Sequence, residues 1–343
     1  MSAGTDQIAI GVVGVGGMGR RHAENLHTRV KGVRVAAVMD ADPMRAEEVA
    51  AACGSARVFQ DAHRLVKDSN VEAVVVSSPD DTHAGLVLEC LRYEKPVLCE
   101  KPLAAHAAEA RKIVEAEVEL GRKMVQVGFM RRYDPQHLSV KKSISDGVIG
   151  RPVLFKGSHR NPTVLPAATT NTTEFVILNS AVHDLDSARW LLEQEIEEVY
   201  VRGVNTDPAL GNDACDLQLI QLTLSGGCLG TIEVYLTAGY GYEVGAEVVG
   251  EQGTVHTASA GNPILRLDLT RFQQIESDWL DRFQTAYVAE MERWIRSLVN
   301  GQHPSPDAWD GYMSLFVAEN CMDSLRSGLP QRVEKQERPQ LYQ

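Results

Sequence analysis

The sequence contains no long apolar run, and none reaches the roughly 18 consecutive residues that a membrane-spanning helix needs. Its first residues, MSAGTDQ, lack the basic stretch followed by an apolar stretch that marks a secretory signal peptide. No internal repeat and no low-complexity tract is visible. These absences favour a globular cytoplasmic protein with no membrane partner.

Basic residues are in short supply. The 343 residues include 34 Lys and Arg against 46 Asp and Glu, which gives a formal net charge of −12. Nucleic acids and anionic membrane surfaces select basic proteins, so neither is expected as a partner. A bound pyrophosphate is not excluded, because a helix N-terminus supplies local positive potential even in an acidic protein.

Cysteine pairs are also missing. The six cysteines are scattered, and no two of them form a Cys-x-x-Cys pair. This spacing predicts neither a zinc site nor a disulfide framework, and it favours buried thiols in a reducing compartment. Seven histidines outside the motifs described below are equally dispersed, so no metal site is expected. They are His22, His27, His63, His106, His137, His256 and His303.

Up to residue 128, short apolar runs alternate with amphipathic stretches. The predicted strands are Ile8–Gly14, Val33–Asp40, Val71–Ser78, Pro96–Cys99 and Lys123–Gly128. Helices are predicted over Met18–Val30, from Asp42 onwards and over Ala104–Leu120. Strands and helices in this alternation indicate βαβ units and a doubly wound parallel sheet.

The pattern changes after residue 150. Several strand candidates follow one another between Val199 and Leu269, separated by turn residues such as Gly226 and Gly227, which predicts an antiparallel sheet. Two closing helices are predicted near Asp281–Asn300 and Asp307–Ser327. The expected architecture is α/β, with a Rossmann domain over residues 1–128. An α+β domain with a large, open, mostly antiparallel sheet is expected over residues 129–343.

A glycine-rich hexapeptide, GVGGMG, places Gly14, Gly16 and Gly19 between the first predicted strand and the first predicted helix. There a GxGxxG pattern gives a tight turn, a close approach of the backbone to a pyrophosphate, and close helix packing. Asp40 ends the second strand, at the separation from Gly19 that this pattern requires of its ribose-binding acid, and an acidic side chain there favours NAD over NADP. Two alternatives stay open: a structural glycine turn with a helix-capping aspartate, and a different cofactor preference caused by Arg45.

The stretch VLCEKPLA places Glu100 and Lys101 just beyond a predicted strand. Ligands of open α/β sheets bind outside the carboxyl ends of the strands, so Lys101 is expected to face the nicotinamide. The alternative is an ordinary surface lysine in a loop. His83, shortly after the strand Val71–Ser78, is expected to border the cofactor. The predicted cofactor-binding residues are Gly14, Gly16, Gly17, Met18, Gly19, Asp40, Ser78, Glu100 and Lys101.

With these motifs the chain resembles the Gfo/Idh/MocA oxidoreductase family, and within it the branch of bacterial inositol dehydrogenases. The motifs are GVVGVGGMG, VSSPDDTHA, CEKPLA, QVGFMRRYDP, GVIGRPV, HRNPTV, VHDLDSARWLL and GYGYEVGAEVVGEQGTV. They follow the family's order from Gly11 to Val255, and GFMRRYDP and HRNP are typical of the inositol branch. The resemblance implies NAD, a small polyol substrate and a homotetramer packed through the C-terminal sheets.

The resemblance also implies residue roles. Lys101 matches the lysine that contacts the substrate at the reacting centre, and His183 matches the histidine taken as the acid/base. The positions that match the family's polyol pocket are Arg131, His159, Asn161, Asp186 and Tyr240, and Tyr242 is close to the last of these. One position departs from the family pattern, because Asn179 stands where an aspartate is usual, four residues before the histidine.

The stretch NSAVHDLDSARW places Asn179, His183 and Asp186 on one face if it forms an α-helix. An imidazole suits proton acceptance because its reference pKa is about 6.5, and a nearby ammonium stabilises a developing alkoxide. Asparagine cannot favour an imidazolium by charge, although its amide can donate a hydrogen bond. Asn179 is therefore expected to change the pH optimum, the rate or the substrate preference. The alternatives are a buried structural histidine at 183 and a salt-bridged hinge at Arg132.

Taken together, the motifs predict NAD-dependent oxidation of a secondary ring hydroxyl of a cyclitol. The leading candidate is myo-inositol, oxidised at C2 to the ketone. One alternative is the same chemistry on another cyclitol, an aminocyclitol precursor or a pyranose sugar. The other is a non-catalytic NAD-binding sensor, against which Lys101 and His183 argue together.

Overall fold

The computed structural model describes residues 7–163, 172–211, 214–258, 264–267 and 269–343. The chain divides into two compact units. The first comprises the residues up to Met130 together with Thr285–Leu315 and Glu337–Gln343, and the second comprises Arg131–Gln284 and Phe316–Gln336. This division differs from a single cut between residues 128 and 129, because two later segments belong to the first unit.

Six short strands and five helices form most of the first unit. The strands are β1 (Ile8–Val13), β2 (Val33–Met39), β3 (Arg57–Phe59), β4 (Ala73–Val76), β5 (Val97–Cys99) and β6 (Val125–Val127). The helices are α1 (Gly17–Thr28), α2 (Pro43–Ala52), α3 (Ala62–Lys67), α4 (Asp80–Arg92) and α5 (Ala107–Leu120). The strands pair in the order β3-β2-β1-β4-β5-β6, all parallel, so the predicted doubly wound parallel sheet is confirmed.

Burial explains why these runs form a central sheet. All four side chains of β4, the sequence Ala-Val-Val-Val, are buried, as expected for a parallel strand covered on both faces. The helix Gln284–Asn300, from near the end of the chain, completes this core. Its residues Met291, Trp294 and Ile295 pack with side chains of β1 and β2. The sheet of the first unit is therefore stabilised by residues from near both ends of the chain.

The remaining elements follow in chain order. The helices are α6 (Pro135–Ser145), α7 (Thr172–Phe175), α8 (Val182–Leu192), α9 (Trp279–Arg282), α10 (Gln284–Asn300) and α11 (Ala308–Ser327). The strands are β7 (Pro152–Arg160), β8 (Ile196–Val204), β9 (Leu217–Leu224), β10 (Leu229–Tyr235), β11 (Glu243–Gly250), β12 (Thr254–His256), β13 (Ile264–Leu267), β14 (Thr270–Gln273) and β15 (Gln331–Arg332). Short 3₁₀ turns occur at Met130–Tyr133, Pro208–Leu210 and Gln340–Tyr342.

Seven of these strands form the sheet of the second unit, in the order β12-β11-β7-β10-β9-β8-β15. Only the β7–β10 pair is parallel and the other five pairs are antiparallel, which confirms the predicted mostly antiparallel sheet. Buried and exposed side chains alternate along β9, so one face of the sheet is packed. That face lies on a core to which α8 and α11 contribute, for example through Leu185 and Val317.

The helix predicted around His183 is not a uniform α-helix. Residues Val176–Ala181 form a π-helical segment, and α8 begins only at Val182. Asn179 therefore lies in the π-helical segment, whereas His183 and Asp186 lie on α8. A π-helix has more residues per turn than an α-helix, so the predicted common face holds for His183 and Asp186 but does not extend by simple α-helical spacing to Asn179.

Within the described ranges, no helix combines the length and the apolarity that crossing a membrane requires. All six cysteines are free thiols, and five of them are buried.

Candidate functional site

A groove of about 750 Å³ opens in the first unit at the carboxyl ends of β1, β2 and β4. The strand order reverses between β1 and β4, and open α/β sheets bind their ligands at such a reversal. Four of the predicted cofactor residues line the groove: Gly14, Gly16, Asp40 and Ser78. The fold therefore places them where a dinucleotide is expected.

Two of the glycines are required by close contacts. Gly14 has a φ of +78°, and a Cβ there would lie 2.5 Å from the backbone nitrogen of Ser78. A Cβ on Gly19 would lie 1.8 Å from the carbonyl oxygen of Gly14, so only glycine lets α1 pack this closely on the loop. At Gly16 and Gly17 a Cβ would meet no atom within 4 Å, which leaves open space where a pyrophosphate can approach the N-terminus of α1. Met18 follows in the first turn of α1 and is partly exposed.

Asp40 is held at the end of β2 by three hydrogen bonds. One carboxylate oxygen accepts from the backbone N–H of Val15 at 2.8 Å, and the other accepts from the N–H of Asp42 at 2.9 Å and from Arg45 Nη1 at 3.1 Å. Asp40 does not cap α2, since that role belongs to Asp42, which accepts from the N–H of Met44. The alternative interpretation, a helix-capping aspartate, therefore applies to Asp42 and not to Asp40. Arg45 forms an ion pair with Asp40.

Glu100 and Lys101 follow β5 directly, as predicted. The Glu100 side chain is buried, forms a 2.6 Å hydrogen bond with His22 Nε2, and accepts from the N–H of Lys101 at 3.2 Å. Burial alone would raise the pKa of Glu100, but the hydrogen bond and charge of His22 and the charge of Lys101 outweigh it, so the pKa is lowered. The Glu100 carboxylate thus serves contacts inside the protein, and Lys101, which is partly exposed, is the member of this pair that can reach a ligand.

His83, which follows β4, joins two loops of the same edge. Its buried ring bridges the carbonyl oxygen of Ser78 at 2.8 Å and that of Pro102 at 2.7 Å. Sequence reasoning placed His83 beside the cofactor. The structure gives it a positioning role, because it ties the loop after β4 to the loop that carries Lys101.

In the second unit, a buried ion pair lies among the predicted substrate residues. Arg131 is 1 % exposed, and its Nη1 donates to Asp184 Oδ1 at 2.6 Å while its Nη2 lies 3.1 Å from His159 Nδ1. A guanidinium only donates hydrogen bonds, so Nδ1 of His159 must accept, and the ring proton then sits on Nε2. Burial lowers the pKa of His159 and the charge of Arg131 lowers it further, against the opposing carboxylate of Asp184. His159 is therefore neutral, with an Nε2–H donor.

Arg131 and Asp186 were both predicted to line a polyol pocket, and each of them forms a buried ion pair in the structure. Whether they also contact a substrate stays a prediction. The guanidinium of Arg131 is committed to Asp184 and His159. Asp186 is 1 % exposed and forms two hydrogen bonds with Arg132, at 2.6 and 3.0 Å. The salt bridge considered for Arg132 therefore exists, and Asp186 is its partner.

Asn161 directly follows β7, and its backbone is fixed by hydrogen bonds to Tyr235 and Ala238, both 2.8 Å long. Its side chain is 8 % exposed, and its Oδ1 has no hydrogen-bond partner within the described part of the chain. A buried acceptor without a partner is what a ligand hydroxyl can satisfy. His183 is 6 % exposed and Asn179 is partly exposed. The last residue of the HRNPTV motif, Val164, lies outside the described residues.

The two neighbouring tyrosines are placed differently. Tyr240 is 51 % exposed, and its hydroxyl donates to Glu243 at 2.7 Å, so the structure does not bring it to His159. Tyr242 is 4 % exposed, and its ring packs edge-on against His159 with centroids 5.8 Å apart. Of the two candidates, Tyr242 is the one beside the predicted substrate residues.

Sequence reasoning missed Asp184. Its only sequence signal is a charged residue inside the apolar face of VHDL, next to His183, and its partner Arg131 is 53 positions away. Within the described ranges, no group of three or more His, Cys, Asp or Glu side chains could hold a metal ion.

Comparisons with known proteins match most of the chain. Residues 8–129 match the oxidoreductase family with an NAD-binding Rossmann fold, and residues 141–333 match that family's C-terminal alpha/beta domain. The chain is 58% identical over 343 residues to inositol 2-dehydrogenase from Rubrobacter xylanophilus, covering 100% of this chain and 98% of the relative.

Solved structures agree with this match. Myo-inositol dehydrogenase from Lactobacillus casei, in complex with NAD(H) and myo-inositol, superposes with a TM-score of 0.93 at 33% identity, covering 98% of this chain and 100% of that one. Apo scyllo-inositol dehydrogenase from the same organism shares the fold, with a TM-score of 0.90 at 24% identity over 96% of this chain and 99% of that one. The chain belongs to the Gfo/Idh/MocA oxidoreductase family, and its N-terminal unit is that family's NAD-binding Rossmann fold.

Proposed function

We propose that this NAD-dependent oxidoreductase oxidises myo-inositol at C2 to 2-keto-myo-inositol. The observation that carries the proposal is the 58% identity, over the whole chain, to inositol 2-dehydrogenase from Rubrobacter xylanophilus. The complex of the Lactobacillus casei relative with NAD(H) and myo-inositol supports the same substrate class. A buried polar group in the second unit suits a polyhydroxylated ring, since Oδ1 of Asn161 is an acceptor without a partner among the described residues.

NAD supplies the hydride acceptor when it is bound. His183 takes the proton of the reacting hydroxyl, because an imidazole is a proton acceptor near neutral pH. Lys101 stabilises the developing alkoxide through its ammonium. Asn161 and His159 hold neighbouring hydroxyls and so fix which carbon faces the cofactor.

The experiment that tests this proposal is a panel of cyclitols and sugars assayed with NAD by NADH absorbance. Myo-inositol is expected to have the highest kcat/KM of the panel. His183→Ala and Lys101→Met are each expected to abolish measurable turnover while NADH still binds, as followed by its fluorescence. Retained turnover in His183→Ala would remove the acid/base role, and NADH binding without turnover on any compound would favour the sensor.

A second candidate is the same oxidation on another cyclitol, an aminocyclitol precursor or a pyranose. Asn179 supports it, because an amide can donate to a ring substituent where a carboxylate can only accept. Its place in the π-helical segment next to His183 supports an influence on both the substrate and the base. Asn179→Asp is expected to change the pH–rate profile or the order of substrates, and an unchanged profile and order would leave no reason to single out this residue.

We also propose a cytoplasmic homotetramer, on the family resemblance alone. Light scattering on the purified chain tests the assembly, because a tetramer has four times the chain mass of 37.6 kDa.

A further inference from the structure

Helix α10 carries a carboxyl group that is completely buried. Glu290 is 0% exposed, and neither of its carboxyl oxygens has a hydrogen-bond partner within the described part of the chain. An unpaired carboxylate in such a place costs several kcal/mol, so the group is expected to be neutral. Burial, and then the charge of Glu100, raise the pKa of Glu290 well above its usual range. Glu290 therefore carries a proton at neutral pH that no internal hydrogen bond holds.

Helix α10 contacts α1 one turn before Glu290, and α1 in turn contacts Glu100 after β5. One turn earlier on α10, the ring of Tyr287 packs edge-on against His22 of α1, with centroids 6.0 Å apart. Nε2 of that His22 forms the 2.6 Å hydrogen bond with Glu100, while its Nδ1 is buried and has no partner among the described residues. The cluster therefore consists of Glu290, of Glu100, whose charge acts on Glu290, and of His22, the hydrogen-bond partner of Glu100.

The two carboxyl groups of this cluster differ in charge. Glu100 is held as a carboxylate because the hydrogen bond and charge of His22 and the charge of Lys101 outweigh the effect of burial on its pKa. Glu290 has no such partners and stays protonated. Interacting carboxyl groups titrate as a coupled set, so a new charge placed near the cluster changes the proton affinity of Glu290.

The position of the cluster relates it to the cofactor. Glu100 and Lys101 follow β5, on the side of the reversal point away from Asp40, where a dinucleotide places its nicotinamide. His22 lies on α1, whose N-terminus faces the pyrophosphate site. The nicotinamide ring is a cation in the oxidised cofactor and neutral in the reduced one, and a cation near a buried acid favours its ionised form.

We propose that Glu290, together with Glu100 and His22, is a proton-binding site whose occupancy follows the redox state of the cofactor. When the oxidised cofactor binds, the O–H bond of the Glu290 carboxyl breaks, the proton passes to the solvent, and the carboxylate balances the nicotinamide cation. When the reduced cofactor binds, the carboxyl keeps its proton. No electron moves in this exchange. The inference rests on NAD as the cofactor and is independent of which polyol is oxidised.

Calorimetry of cofactor binding tests the proposal without any substrate. The full-length protein is titrated with NAD⁺ and with NADH in buffers of different ionisation enthalpy, between about pH 6 and 9, which gives the number of protons released on binding. We expect NAD⁺ to release more protons than NADH, with a difference that rises to about one per chain. In Glu290→Gln this difference should vanish, and in Glu292→Gln, an exposed position on the same helix, it should persist.

Two results would overturn the inference: equal proton release for both cofactors at every pH in the wild-type chain, or an unchanged difference in Glu290→Gln. The wild-type comparison needs no variant, so it decides even if the substitution impairs folding. Glu290→Met, an apolar side chain of similar size, gives a second non-ionisable variant. Because no polyol is present, a failure here leaves the proposed substrate untouched, and a wrong substrate leaves this test unaffected.

Discussion

Asp40 and Asp42 lie two residues apart at the end of β2 and differ in role. The Asp40 carboxylate accepts from the backbone of Val15 and from Arg45, at the edge of the groove. Asp42 accepts from the first turn of α2. Asp40 lines the groove in which a ribose is expected, whereas Asp42 caps α2 and lies 3.6 Å from Arg45. Substitutions of the two aspartates are therefore expected to have different effects.

Asp40→Ser is expected to raise the ratio of kcat/KM with NADP to that with NAD by roughly 10-fold or more, equal to about 1.4 kcal/mol. The substitution removes the carboxylate that repels a 2′-phosphate and releases Arg45, which can then bind it. Initial rates with both cofactors measure the ratio.

The matched control is Asp42→Ser, in which serine still caps α2 and Asp40 still holds Arg45 at 3.1 Å, although the weaker 3.6 Å pair of Arg45 with Asp42 is lost. It should change the cofactor ratio much less than Asp40→Ser. A ratio that stays the same in Asp40→Ser would show that Asp40 does not select the cofactor.

The site residues that could be predicted from the sequence are those that belong to a short motif. The glycines and Asp40 lie within one βαβ unit, where spacing along the chain fixes spacing in the fold. The partners of Arg131 and Arg132 are 53 and 54 positions away, and no local pattern records such pairs. The sequence therefore indicated which residue types matter but not their long-range contacts: the pairing of Asp186 with Arg132 was not predicted, and a role of Asp186 in substrate binding stays a prediction.

At the scale of elements, the Arg131–Asp184 ion pair links the 3₁₀ turn Met130–Tyr133 to α8, and His159 adds β7. Both charged groups are almost fully buried. Removing one partner of a buried pair leaves the other charge uncompensated, which costs far more than the pair itself contributes.

Asp184→Asn is expected to lower the free energy of unfolding by about 3–5 kcal/mol, measured by urea denaturation. The double variant Arg131→Met with Asp184→Leu should recover most of that loss, because no buried charge is left. Asp323→Asn, in an exposed ion pair with Arg326, should change stability by less than about 0.5 kcal/mol. Wild-type stability in Asp184→Asn would mean that solvent reaches Arg131.

A second link between elements depends on pH. Glu117 of α5 accepts hydrogen bonds from the backbone of Met124 and Val125 and from the hydroxyl of Tyr342. Burial raises the pKa of Glu117 to about 7 against the opposing effect of these hydrogen bonds, and the charge of Asp307 raises it further. The folded state therefore binds a proton that the unfolded chain has lost above about pH 4.5.

The sign of the pH effect follows from this. The stabilisation is complete below the unfolded pKa and is lost as the pH rises towards about 7, an effect of roughly 3 kcal/mol between pH 4 and 8. Glu117→Gln should flatten this part of the profile, measured by urea denaturation at several pH values. A smaller slope of the same sign should persist, because burial also raises the pKa of Asp307. If the slope of stability against pH were the same in Glu117→Gln as in the wild type, Glu117 would not be the group that causes it.

Elements with a strong period or a long apolar run were predicted well, and the others were not. The three-residue β3 and the six-residue α3 are too short to give a periodic signal. The π-helical segment Val176–Ala181 keeps apolar residues at intervals that also suit an α-helix, so its different hydrogen bonding is not visible in the sequence.

At the scale of the molecule, the first unit is discontinuous in sequence. Helix α10 lies far beyond Met130 along the chain, yet Trp294 is completely buried in the same core as β1 and β2. The sequence signals for a domain boundary are local, and a helix that returns to an earlier sheet leaves none. A division predicted from such local signals therefore has a single boundary, at residue 128, and the two family matches also divide the chain only once, between residues 129 and 141. The packing of α10, in contrast, joins this helix to the first unit.

A chain that ends at residue 128 is therefore expected to lack a cooperative unfolding transition and to bind NADH poorly, because its sheet would expose the surface that α10 covers. In the full-length chain, Trp294→Ala should lower the free energy of unfolding by about 3–5 kcal/mol, since a large buried side chain is removed. Glu292→Ala, on the exposed side of α10, should change it by less than about 0.5 kcal/mol. Circular dichroism and NADH fluorescence measure both effects. A cooperative transition with NADH binding in the shortened chain would mean that the segment ending at Gly128 forms a complete domain and that α10 only adds to it.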